Sequence, residues 1–65
     1  MNNLRQAKTI AQANALLPYG HRIVCKGGLF VFQLDSYDMS PPESLSDAIA
    51  RAADWIEVEQ ALESL

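Results

Sequence analysis

The dipeptide Gly27-Gly28 is the tightest constraint in the chain. It joins two β-rich runs of equal length, His21-Arg22-Ile23-Val24-Cys25-Lys26 and Leu29-Phe30-Val31-Phe32-Gln33-Leu34. Gly-Gly between such runs predicts a hairpin closed by a two-residue turn. That turn fixes the pairing as Lys26 with Leu29, Cys25 with Phe30, Val24 with Val31, Ile23 with Phe32, Arg22 with Gln33 and His21 with Leu34. One face then carries Ile23, Cys25, Phe30, Phe32 and Leu34, with His21 at its end. The other carries Arg22, Val24, Lys26, Leu29, Val31 and Gln33. A slip of one residue would exchange the faces, so the register is well specified.

Helical patterns flank the hairpin. Asn3 can cap a helix with Gln6 reaching back, and Leu4, Ala7, Ile10, Ala11 and Leu17 share one side at helical spacing. Pro18 ends that helix and Gly20 completes the turn. Asp35 to Glu43 holds turn-forming residues and reads as a loop. Ser44 caps a second helix, with Asp47 in its first turn where the helix dipole favours an acid. Leu45, Ala48, Ile49, Ala52 and Ile56 form its stripe, which rotates past residue 54 to Trp55, Val58, Leu62 and Leu65. A bend or a break near Asp54–Glu57 would explain the rotation. With no Gly or Pro there, a bent helix through about residue 62 is expected. The expected fold is one α+β domain over residues 1–65: helix, two-stranded antiparallel hairpin, helix, with both helices on the Ile23/Phe30/Phe32 face.

Charge divides along the chain. Residues 1–33 hold Arg5, Lys8, Arg22 and Lys26 and no acid, a balance of +4. Residues 34–65 hold Arg51 against eight acids, 1 − 8 = −7, and the sum is the net −3. Asp47, Asp54, Glu57 and Glu59 are therefore candidates for contact with a basic partner. The plainer alternative is internal: a basic helix and hairpin resting against an acidic helix. Arg5, Lys8, Arg22 and Lys26 are the candidates for phosphate contact in a rival, nucleic-acid-binding reading. Against that rival stand a pI near 4.7 and the lack of an aromatic residue among those cations for base stacking.

Catalytic and metal motifs are weak. His21 and Cys25 share a strand face, but a structural zinc site takes four ligands and the chain has no other His or Cys. Two cross-strand steps also separate the imidazole from the thiol, a poor geometry for nucleophilic catalysis. Asp35, Asp38 and Glu43 lack the central Gly of a calcium loop. Gly27-Gly28 does not stand between a strand and a helix, as a phosphate loop requires. No cofactor and no enzymatic activity are expected.

A domain of this length buries only about 60% of the surface its unfolded chain exposes, and one Cys forms no internal disulfide. A partner chain is the expected support. A homodimer is expected to use the apolar residues of the outer hairpin face, Val24, Leu29 and Val31. The run Leu29–Phe32 is far below the ~20 residues of a membrane span. Residues 1–5 do not follow a signal-peptide pattern, so a cytoplasmic location without membrane contact is expected.

In size and layout the chain resembles the small proteins that bacteriophages and prophages encode to disable a host machine, the anti-CRISPR proteins among them. The resemblance rests on the helix–hairpin–helix order around Arg22–Phe32 and the acidic stretch Asp54-Trp55-Ile56-Glu57-Val58-Glu59. It implies a non-enzymatic inhibitor or adaptor that occupies the surface of a host protein or nucleoprotein complex, and it assigns no site residues.

Overall fold

A computed structural model describes residues 4–64. The fold is α+β. A 3-10 turn (Leu4–Gln6) leads to α1 (Ile10–Leu16), then β1 (His21–Lys26), β2 (Leu29–Leu34), β3 (Tyr37–Asp38) and α2 (Leu45–Glu63). The antiparallel sheet has the order β1-β2-β3.

The hairpin has the register that the Gly-Gly turn dictates, with all six pairs in place. Gly27 and Gly28 have φ of 61° and 83°, the left-handed pair that suits a right-twisted hairpin. The sheet has three strands, not the expected two. Asp35 and Ser36 also take positive φ, 51° and 72°, and turn the chain back so that Gln33 pairs with Asp38 and Leu34 with Tyr37. The return continues beyond β3. The Met39 N–H donates to the Phe32 carbonyl, and Phe30 and Glu43 exchange both backbone hydrogen bonds. The expected loop thus makes β2 a central strand.

The first helix is shorter than expected. It starts at Ile10, because Thr9 accepts a hydrogen bond from the Gln12 N–H while Gln12 Oε1 accepts one from the Lys8 N–H. This is a capping box shifted by one residue. The expected cap at Asn3 lies outside the described residues. At the second helix Ser44 accepts from the Asp47 N–H, as the sequence predicts, and α2 runs without a break at Asp54–Glu57.

One core lies between the sheet and α2. Ile23 and Phe32 meet Ala48, Ile49, Ala52, Ala53 and Ile56, with Leu4 and Ala13 closing the sides. The helices do not share the sheet face as expected: α2 covers it, whereas α1 lies at the edge of β1. There Asn14 Nδ2 donates to the Ile23 carbonyl at 3.0 Å, and Asn14 Oδ1 accepts from the Ile23 N–H at 2.7 Å. The amide stands in for a neighbouring strand, which blunts an edge that would otherwise be open to another chain.

The outer face is closed by polar side chains. Arg22 Nε donates to Gln33 Oε1, Gln33 Nε2 donates to Asp38, and Lys26 Nζ donates to the same carboxylate at 2.9 Å. Lys26 stands opposite Leu29 and Asp38 opposite Gln33, so the line joining them crosses β2 at Val31. Val31 is completely buried.

Candidate functional site

Helix α2 positions the acidic candidates. Its inward residues bury as far as Ile56, and no residue from 57 to 63 is buried. Glu59 is half-buried, and from Gln60 to Glu63 every side chain is exposed. Trp55 sits where the buried stretch ends. Its ring lies 6.4 Å from Phe32 at a tilt of 57°, and its Nε1 donates to Glu59 at 2.6 Å. Glu59 also faces His21 Nε2 at 3.2 Å, and His21 Nδ1 lies 3.0 Å from the Tyr19 carbonyl oxygen. Trp55, His21 and Glu59 thus anchor the base of the projecting segment.

Much of the charge division is answered inside the fold. The Arg5 guanidinium bridges Asp54 and Glu57, 49 and 52 residues away. The two carboxylates, Glu57 first, hold Arg5 protonated well beyond its ordinary range. Arg51 donates to both oxygens of Glu43, which lowers the Glu43 pKa and raises that of Arg51. Lys26, and after it Gln33, lowers the pKa of Asp38. Such exposed pairs set geometry more than stability.

Of the four acids singled out in the sequence, Asp54 and Glu57 are shared with Arg5 and Glu59 with Trp55 and His21. The Asp47 side chain makes no ion pair among the described residues. Asp47 and Asp54 line one open groove with Glu43, Ala50 and Arg51. Glu63, at the end of α2, is exposed and likewise unpaired.

The four cations do not converge. Arg5 lies against α2, and Arg22 and Lys26 lie on the opposite face of the sheet. Lys8 precedes α1 with no ion pair among the described residues. The outer-face apolar candidates also separate. Val31 is enclosed within the monomer, Val24 is half-buried, and Leu29 is 45% exposed. Cys25 is exposed near the hairpin tip, four residues from His21. Among the described residues no group of three or more His, Cys, Asp or Glu side chains is placed to hold a metal ion. No described helix is long and apolar enough to cross a membrane.

The rotated end of the α2 stripe, Trp55 included, does not pack into the core as an apolar stripe would. Trp55, Val58 and Leu62 are 37%, 59% and 64% exposed, a row of apolar side chains on the departing end of α2. The signal was the rotation of the apolar stripe past residue 54, which follows from the helix outrunning the sheet. Comparison with protein-family models, curated proteins and solved structures returns no match for this chain.

Proposed function

We propose that the protein is a small non-enzymatic regulator that occupies a basic surface on a partner protein with its acidic C-terminal half, in the manner of phage-encoded inhibitors. One observation carries the reading: α2 presents Asp47, Asp54, Glu57 and Glu63 to solvent on a helix that departs from the fold's core. The internal pairs temper this surface without cancelling it, since a single arginine, Arg5, serves both Asp54 and Glu57. Complementary charge of this kind raises association rate and specificity.

The test reverses charge where no internal bridge is lost. Wild type and D47K/E63K are immobilised and used to capture partners from cell lysate at increasing salt. The reading expects a protein that wild type retains, that salt releases and that the variant holds several-fold more weakly. Equal retention by both at every salt concentration overturns it. Retention of DNA or RNA by wild type, lost on changing Arg22 and Lys8, would favour the rival nucleic-acid reading.

A further inference from the structure

The apolar row and the acids occupy adjacent parts of one helix surface. At 100° per residue, Trp55, Val58 and Leu62 fall within about 60° of arc. Glu59 and Glu63 border the row on one side and Asp54 on the other, with Glu57 beyond Asp54. Residues 52–64 contain four acids and no Lys or Arg, and among the described residues Arg5 is the one Lys or Arg in ion-pair contact with them, giving −4 + 1 = −3, with Arg51 acting on Asp54 only at longer range. The row covers eight residues, Trp55 to Leu62, about 10 Å along the axis, or two helical turns.

We infer that this row is a docking ridge for a basic amphipathic helix of a partner protein. The partner's apolar face lies on Trp55, Val58 and Leu62, and its Lys and Arg side chains lie over the flanking carboxylates. Charge selects this occupant. A second copy docked ridge to ridge would set four acids against four, at a cost that rises as water leaves the contact. An anionic membrane would be repelled in the same way. On the sheet, Asn14 blunts the β1 edge and polar side chains cover Val31, and the exposed Leu29 and Tyr37 have no row of acids beside them. This inference rests on the proposed protein-binding function and adds to it the ridge residues and the partner's chemistry.

Trp55 is the chain's only tryptophan, so its emission reports on the ridge. Two helical peptides of equal length and identical leucine face serve as probes, one with lysine and one with glutamate on its polar face. The lysine peptide should shift Trp55 emission to the blue with saturation, weakening as salt rises, and the glutamate peptide should leave it unchanged. V58S/L62S keeps every charge and changes only exposed positions. It should weaken the lysine peptide at least about tenfold while its circular dichroism and melting midpoint match wild type. Equal response to both peptides, or equal binding by V58S/L62S, overturns the inference. So does a blue shift with uncharged phosphatidylcholine vesicles, or a concentration-dependent doubling of mass abolished by V58S/L62S, since lipid or a second copy would then be the occupant. A partner retained by wild type, lost in D47K/E63K and unaffected by V58S/L62S would leave the proposed function standing and remove the ridge from it.

Discussion

Replacing Asn14 with alanine should destabilise the fold by about 2 kcal/mol. The side chain makes two hydrogen bonds to the backbone of Ile23, a residue only 1% exposed. Each such bond contributes roughly 1 kcal/mol net, and a buried group left without a partner costs about 1–3 kcal/mol. Two lost bonds therefore cost roughly 2–3 kcal/mol. Alanine returns up to about 0.7 kcal/mol through its better helix propensity. A net 2 kcal/mol lowers the melting temperature of a domain this size by roughly 8–16 °C. Thermal and urea unfolding followed by circular dichroism measure both quantities. N14D is a stricter probe. It keeps an acceptor for the Ile23 N–H but sets a carboxylate oxygen against the Ile23 carbonyl, so it should be at least as damaging as N14A. The alanine variant should also associate as concentration rises, because the β1 edge is then open. A stability within about 0.5 kcal/mol of wild type would show that water replaces the amide at no loss and that Asn14 is not an edge block.

Two further outcomes follow from the sheet and its connections. Asp38 and Glu43 have folded pKa values below their ordinary 3.8 and 4.5, so the unfolded chain takes up protons first as pH falls. Their contribution is complete above that range and is lost as pH drops through the folded values. The urea midpoint should hold steady down to about pH 4.5 and fall below it, with a shallower fall in D38N/E43Q; an equal slope in that variant would refute the assignment. S36G should stabilise the β2–β3 turn by roughly 0.5 kcal/mol, since relief of a left-handed residue worth about 1–2 kcal/mol is offset by the 0.5–1 kcal/mol cost of ordering glycine. A melting temperature raised by about 2–4 °C is expected, and a lowered one contradicts the turn assignment.

The hairpin was fully legible in the sequence because two glycines and two faces of alternating character leave one register. The Ser44 cap was legible because its partner stands three residues on. The third strand was not. Its turn, Asp35-Ser36, uses two non-glycine residues at positive φ, and β3 is two residues long, too short to show alternation. The true start of α1 was present as Thr9-x-x-Gln12, but the apolar spacing of Leu4 and Ala7 pointed to an earlier one. The edge role of Asn14 depends on where the turn through Pro18 and Gly20 returns the chain, which no local pattern encodes. Charge division was visible as sums, yet which acid meets which base was not, since Arg5 and its carboxylates stand about fifty residues apart.

Helix α2 is a lever. About 18 Å of it, from Leu45 to Ile56, lies over the core, and the remaining stretch of about 10 Å, from Glu57 to Glu63, buries no side chain and is tied down, among the described residues, only by Arg5 at Glu57 and by His21 at Glu59. Phe32 beneath Trp55 and the Arg5 strap on Asp54 and Glu57 together form the fulcrum where one arm passes into the other. The clamped arm rests on Ala48 and Ala52, both fully buried, so the smallest side chains of the core set its height above the sheet. A larger residue at either position would lift that arm and swing the tip the opposite way by roughly half the displacement, from the ratio of the two lengths. A load on the tip would in turn reach the core as torque about the same point. The alanines would thus set the direction of the helix end from inside the core.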